Sequence, residues 1–297
     1  MELVKHYMPD DRLRAALNAL TRQTFGFDFE KWYAGGGWEG DYLPYSLMED
    51  GRMLANVSAN RMRFLQNGQE RRYIQLGTVM TDKAFRRQGL ASRLMRAAMD
   101  DLRGECDGFY LFGDLGALGF YDSLGFARIT ETRYTLREDA RQALCAQAAQ
   151  READALFLPA DRTDAALAAR YRQALQTAVP YAALEHVNRR SLHLFYTLSM
   201  KTVRYCAELD AFCVLAREEG QTVLQSVLCA RRLPLADILS RISEPVDALG
   251  FAPEASDAAL FDATPWDGGE DYRLFIAGDS LRGVQAQGLC FPALSHA

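Results

Sequence analysis

The sequence predicts an α/β (α+β) protein of mixed sheets with flanking helices, and three observations carry that prediction. Between Met1 and Leu136, apolar residues switch repeatedly between the alternation of a strand and the spacing of about 3.6 of a helix. Turn residues separate these runs. The 297-residue length exceeds what one core of ordinary size needs, so a second α+β unit is expected behind the first. A composition of 49% hydrophobic and 25% charged residues belongs to globular proteins and excludes disordered, collagen-like and low-complexity classes.

The elements follow in order. Leu3 to Tyr7 reads as a short strand, and Pro9 to Thr24 as a helix with Leu13, Ala16, Leu17 and Leu20 on one face. Tyr45 to Met48 and Arg52 to Phe64 flank the turn Glu49-Asp50-Gly51 as a hairpin, and Asn67-Gly68 turns the chain into a strand at Arg71 to Thr81. A helix is expected from about Gly89 to Leu102, a buried strand at Phe109 to Phe112, a helix around Leu115 to Leu124, and a strand at Phe126 to Leu136. Arg137 to Ala155 has neither Gly nor Pro and reads as a helical connector. The expected organisation is therefore a unit at 1–136, a connector at 137–155 and a second unit at 156–297. In the second unit, Ala211 to Ala216 and Thr222 to Ala230 flank Glu218-Glu219-Gly220 as another hairpin, and a short helix follows at Leu235 to Ile242. This repeats the order of the first unit without its chemistry, which raises a tandem duplication.

The charge balance is 34 Lys+Arg against 39 Asp+Glu, a net −5. That leaves no clustered basic surface for nucleic acid and leans toward cationic or neutral partners. No apolar run reaches the length of a membrane span, and the first ten residues have no signal core, so a cytoplasmic protein without membrane contact is expected. The cysteines Cys106, Cys145, Cys206, Cys213, Cys229 and Cys290 form no Cys-x-x-Cys pair, and the four histidines form no ligand motif. Buried free thiols and no metal site are the expectation.

Chemistry concentrates in Val79-Met80-Thr81 and the segment Arg86-Arg87-Gln88-Gly89-Leu90-Ala91-Ser92. A strand runs into a turn with two arginines and a glycine, and an amphipathic helix opens behind it. The first amides of that helix lack internal partners and lie at the positive end of its dipole, which suits a pyrophosphate. Alone, the pattern also fits an ordinary strand-turn-helix connection with solvated arginines.

A second stretch, Asp114-Leu115-Gly116-Ala117-Leu118-Gly119-Phe120-Tyr121 followed by Gly125-Phe126, decides between them. Arg86-x-x-Gly89-x-Ala91 resembles the acyl-CoA motif of the GCN5-related N-acetyltransferases (GNAT). The second stretch resembles that family's Asn-x-x-Ala-x-x-Phe-Tyr-x-x-x-Gly-Phe signature, with Asp114 at the Asn position. The resemblance covers residues 1–136. It implies a mixed sheet splayed after the motif strand and acetyl-CoA as co-substrate. By the same resemblance, main-chain groups of Val79, Met80 and Thr81 would pair with the pantetheine. Arg86, Arg87, Gln88, Gly89, Leu90, Ala91 and Ser92 would cradle the pyrophosphate. Asp114 and Ala117 would face the pantetheine, and Tyr121 would protonate the departing thiolate. A phenol and a thiolate of comparable basicity make that transfer chemically reasonable.

Acetyl transfer to a primary amine also needs a proton acceptor. The motif strand has no Glu at the family's usual place, only Tyr73, Gln75 and Thr78. The whole chain resembles more distantly the enhanced-intracellular-survival type of acetyltransferase. In that type a degenerate second acetyltransferase domain follows the first, and the terminal carboxylate enters the active site. The matching second-half segment, Arg231 to Ala236, has no glycine and carries Pro234, so it should not hold a pyrophosphate. The closing residues from Leu289 are apolar until His296, which makes the Ala297 carboxylate or the His296 imidazole a candidate base. A tail that merely caps the second unit is the simpler reading, because docking by itself gives no direction. The aromatic, glycine-rich stretch Phe25 to Tyr42 occupies the acceptor wall of the resembled family. Its rings and Asp28, Glu30, Glu39 and Asp41 would suit a cationic amine, and a core-packing loop remains the other reading.

Two functions are therefore carried forward. One is an acetyl-CoA-dependent N-acetyltransferase working by direct attack in a ternary complex on a small-molecule or peptide amine. The other is an inactive acyl-CoA-binding regulatory or interaction protein. Either is compatible with a homo-oligomer.

Overall fold

The computed structural model describes residues 1–161 and 163–297. The first part of the chain runs β1 (Glu2–Lys5), α1 (Asp11–Phe25), α2 (Glu30–Ala34), β2 (Tyr42–Glu49), β3 (Arg52–Gln66), β4 (Gln69–Thr81), α3 (Leu90–Leu102), β5 (Gly108–Asp114), α4 (Leu118–Ser123), β6 (Ala127–Ile129) and β7 (Glu131–Leu136). The second runs α5 (Glu138–Ala148), β8 (Leu158–Pro159), α6 (Ala165–Thr177), β9 (Leu184–His186), α7 (Arg190–Tyr196), β10 (Val203–Cys206), β11 (Ala211–Glu218), β12 (Gln221–Leu228), α8 (Leu235–Leu239), β13 (Ala248–Leu249), β14 (Phe261–Trp266), β15 (Tyr272–Ala277) and α9 (Gly283–Ala286).

Local chemistry accounts for the elements that place the site. The Asp10 carboxylate accepts from the Leu13 amide at 2.9 Å and caps α1, and Gly26 at φ +80° closes it. Helix α3 turns Leu90, Leu94, Met95, Ala98 and Leu102 onto the sheet, where they pack with Ile74, Leu76, Phe109 and Leu111. The hairpin β3–β4 forms the long spine of the first sheet, with Asn60 opposite Gln75 and Ser58 opposite Gly77.

Two mixed sheets result. The first has the order β1-β2-β3-β4-β5-β15-β6, with β9 added along β3, and the second the order β14-β7-β13-β12-β11-β10-β8. Each contains one parallel pair joined through a helix: β4 with β5 through α3, and β12 with β13 through α8. Each also takes a strand from the other part of the chain. β15 lies between β5 and β6 of the first sheet, and β7 lies between β13 and β14 of the second. The exchange is reciprocal, and it ties the two sheets into one molecule.

Two sequence expectations change in detail. Phe126 to Leu136 was expected as one strand and is two, since the chain leaves the first sheet after Ile129 and enters the second at Glu131. The helix expected at 137–155 ends at Ala148, with a single 3-10 turn at Ala153–Ala155. All six cysteines are free, and no helix among the described residues is long and apolar enough to cross a membrane.

Candidate active site in the splay of the first sheet

Strands β4 and β5 pair only over Tyr73 to Gln75 and Gly108 to Tyr110. Beyond that point β4 continues along β3, and β5 continues along β15. A wedge therefore opens between residues 76–81 and 111–114, and the wedge-side main chain of β4 has no strand partner there among the described residues. A bulge re-aims this edge: Thr78 adopts φ +48°, the register to β3 slips between Asn56 and Ser58, and the Asn56 amide donates to the Thr78 carbonyl at 3.0 Å. Asn56 is itself held in a buried polar ladder. Its Nδ2 donates to Ser58 Oγ, its Oδ1 accepts from Ser46, and Ser58 donates to the Tyr42 hydroxyl.

The expected pyrophosphate cradle lies at the end of β4. Arg87 and Gly89 both have left-handed backbones, at φ +62° and +75°. Gly89 precedes α3 and has no side chain to cap it, so the amides of the first helical turn stay open. Arg86, Arg87, Gln88 and Gly89 are exposed, Ala91 and Ser92 are half-buried, and Leu90 is buried beneath them. Arg86 Nε donates back to the Thr81 carbonyl at 3.2 Å, and neither arginine forms an ion pair among the described residues. Upstream, Met80 points into the α1 core while Val79 packs toward α3. This set fits an anionic ligand lying along the wedge.

Tyr121 enters from α4. Its ring fills the space a Cβ on Gly113 would need, 2.6 Å from Cε2, and it sits 5.1 Å from the Phe275 ring. Burial pushes its phenol up to about 12, and the nearby Asp114 carboxylate adds to the effect, so the hydroxyl is protonated at neutral pH. Asp114 is exposed at the end of β5, and Ala117 packs against the same cluster as Tyr121.

The opposite face of the wedge receives the end of the chain. Along β4 the residues Tyr73, Gln75 and Gly77 share a face, and Ile74 and Leu76 share the other with α3 and Tyr121. The Ala297 carbonyl oxygen lies 2.3 Å from where a Gly77 Cβ would sit, and Gln75 Nε2 donates to it at 3.4 Å. The Tyr110 hydroxyl donates to Gln75 Oε1 at 3.3 Å and fixes that amide. The His296 ring stacks on Phe112 at 3.7 Å, and the Tyr196 hydroxyl donates to the His296 carbonyl. His296 Nε2 is buried without a partner among the described residues, and burial lowers the imidazole pKa to about 4. The ring is neutral and a weak base. Ala297 and Tyr121 thus approach the same wedge from its two faces.

Beyond the tail lies a cavity of about 460 Å³ with His296 and Phe291 in its wall. Glu131, Glu218, Glu219 and Asp271 line it with the rings of Trp266 and Tyr272, and Arg133 stacks on Trp266 while pairing with Glu219 at 3.7 Å. This lining has the acidic and aromatic character that the sequence suggested for Phe25 to Tyr42. In that stretch Phe29, Trp32 and Tyr42 are buried in a core cluster with α1. Its carboxylates are already engaged, Asp28 by Arg22, Glu30 by Arg14, Glu39 by Arg190 and Asp41 by Asn188. The loop packs because its rings reach one another, as Phe29 does with Tyr42 at 5.1 Å.

Residues 10–126 match the sequence profile of the Acetyltransferase (GNAT) family. Over this segment the chain is similar to that family. The splayed strands and open helix turn described above lie within the matched residues, apart from the tail and β15. Over nearly its whole length the chain also shares a fold with larger proteins. A conserved protein from Enterococcus faecalis V583, described as a probable N-acyltransferase, is 13% identical with a TM-score of 0.54, over 96% of this chain and 74% of that one. A GCN5-related N-acetyltransferase from Kribbella flavida is 13% identical with a TM-score of 0.55, over 93% and 70%. Eis1 from Mycobacterium abscessus is 13% identical with a TM-score of 0.51, over 92% and 73%. No functionally curated protein matches the chain.

Sequence reasoning did not single out Gln75 as a tail contact, nor Tyr110 and Glu131. The alternation of β4 was a usable signal for Gln75, because it puts that residue on the face away from α3. Glu131 had none, since its neighbours come from β14, β15 and the tail.

Proposed function

We propose that this protein transfers an acetyl group from acetyl-CoA to a primary amine by direct attack in a ternary complex. The observation that carries the reading is one wedge with an open helix turn at its end, a protonated phenol on one face and the chain terminus on the other. Acetyl-CoA supplies the activated acyl thioester. The open amides of Gly89 to Ser92, with Arg86 and Arg87, hold its pyrophosphate, and the unpaired edge of Val79 to Thr81 aligns the pantetheine beside Asp114 and Ala117. Tyr121 gives its proton to the thiolate as the carbon–sulfur bond breaks. The Ala297 carboxyl group, resting on Gly77, takes the proton that the attacking amine loses, directly or through one water. His296 acts as the neutral spacer that seats it on Phe112. The acidic, aromatic cavity behind the tail favours an acceptor that arrives as a cation.

The test is thiol release from acetyl-CoA across a panel of amines and peptides, with acetyl-CoA affinity measured in parallel. Release with at least one amine is expected, together with its loss when a few residues are appended after Ala297 while affinity stays unchanged. Saturable acetyl-CoA binding without release from any acceptor would favour the binding-protein reading. Unchanged turnover in the extended variant would remove the tail from the mechanism.

A further inference from the structure

Glu131 opens β7 and is 4% exposed, yet no arginine or lysine pairs with it among the described residues. Its Oε1 accepts from the Phe291 amide at 2.7 Å. The groups that face it are Tyr272 of β15, Tyr110 of β5 and Cys290 of the tail, with Glu218, Glu219, Asp271, Arg133 and His296 around the shared cavity. An unpaired buried carboxylate is a costly way to satisfy one amide, because a neutral amide side chain would do so without desolvating a charge.

The Phe291 amide is where the tail begins its run to the wedge. From there the Phe291 ring stacks on Tyr110 at 4.1 Å, and the Ala293 amide donates to the Gly250 carbonyl at 2.7 Å. His296 and Ala297 then reach Phe112, Tyr196, Gln75 and Gly77. Among the described residues, Glu131 is the ionisable side chain among these attachments whose charge changes near neutrality, the buried tyrosines and His296 titrating well away from it.

Resting on the transfer reaction proposed above, we infer that Glu131 is a positioning residue: by holding the Phe291 amide it sets the path of the tail and so the place of the Ala297 carboxyl group at the wedge. A pH dependence follows from its surroundings. Burial raises its pKa to about 7 in the docked state, whereas release of the tail lets water reach it and returns it toward the ordinary carboxylate range. The docked tail therefore binds the proton more tightly, and raising the pH favours release.

The experiment measures removal of Ala297 and His296 by a carboxypeptidase, followed by mass spectrometry and normalised to a free peptide of residues 290–297. In the unaltered protein the normalised rate should rise about tenfold between about pH 6 and pH 8. Glu131→Gln keeps the acceptor without the charge and should be resistant and flat across that range. Glu131→Ala should release the tail at both pH values, lower kcat by about tenfold and leave acetyl-CoA affinity within about twofold. A tail as resistant in Glu131→Ala as in the unaltered protein, or the same pH ratio in Glu131→Gln, would overturn the assignment. Should Glu131→Ala fail to melt cooperatively, the Glu131→Gln ratio decides. The digestion arm needs no turnover, so an absence of acetyl transfer with every amine would sink the proposed function and leave this result readable.

Discussion

The two parallel strand-helix-strand units of this chain reach the same topology and make opposite use of it. Between β4 and β5 the turn carries Gly89 at φ +75°, and the first-turn amides of a 13-residue helix stay open. Between β12 and β13 the helix has five residues and begins behind Pro234. There the Leu235 amide donates to Asp257 Oδ1 at 2.9 Å, and Arg232 donates to the other carboxylate oxygen at 2.6 Å. A side chain of the protein stands where the first unit leaves its helix amides without a side-chain cap. The difference teaches that strand order alone does not make a phosphate site. What matters is whether the helix N-terminus is left unsatisfied within the fold.

The comparison breaks most readily at Tyr121, the proton donor proposed for the first unit. Tyr121→Phe keeps the ring against Gly113 and removes the proton donor, so kcat should fall by about 10² to 10⁴ with acetyl-CoA affinity unchanged. Steady-state kinetics beside calorimetric binding separates the two, and a small kcat change would move the proton donor elsewhere. Next in size is Gly77→Ala. Its Cβ would come 2.3 Å from the Ala297 carbonyl, a contact with main chain that only displacement of the tail relieves. Turnover should drop by about tenfold, and the same substitution placed in the extended variant should add little further loss, since both act on one group.

Two substitutions sharpen the contrast between the turns. Asp257→Ala leaves the buried Leu235 amide without its acceptor and takes from Arg232 one of its two carboxylate partners, Glu254 remaining, and should lower unfolding stability by about 1 to 3 kcal/mol with no effect on acetyl-CoA affinity. Gly89→Ala meets no atom within 4 Å, so only its left-handed backbone resists the change. A cost of about 1 kcal/mol there should weaken acetyl-CoA several-fold. Reversed outcomes, with affinity lost at Asp257 and kept at Gly89, would transfer the cofactor site to the second sheet.

How much of this was legible follows from the range of the interactions. The β4–α3 turn and the α4 segment are local, and the residue pattern around Gly89 and Tyr121 placed both. The apolar residues before His296 pointed to a docked tail, although not to which sheet it docks on. Strand exchange was not legible, because Glu131 to Leu136 alternates like any strand and nothing in it names β13 and β14 as neighbours. The Phe25 to Tyr42 stretch shows the converse. Its composition suited a pocket wall as well as a core, and only the ion pairs to Arg14, Arg22 and Arg190 and the packing of Phe29 and Trp32 distinguish them.

The smallest predicted effect concerns pH and sets the buried groups of the two faces against each other. Burial lowers His186 to about 3, His296 to about 4 and His193 well below its ordinary value. The folded state binds fewer protons than the unfolded one at these sites, so they stabilise above the ordinary histidine pKa of 6.5 and lose that stabilisation as pH falls toward 4. Glu131 runs the other way. Its folded pKa of about 7 lies above the ordinary 4.5, so the folded state holds the extra proton and stability declines as pH rises from 4.5 to about 7. Three histidines outweigh one carboxylate below 6.5, and the melting temperature should climb from about pH 4.5 to 6.5. Between about 6.5 and 7.5 the unfolded histidines still bind somewhat more protons than Glu131 holds in the folded state, so the climb flattens into a plateau. Glu131→Gln removes the opposing contribution and should steepen the climb across the whole range. Thermal melts at closely spaced pH values read the change, and an unaltered slope in Glu131→Gln would assign the opposing contribution to another group.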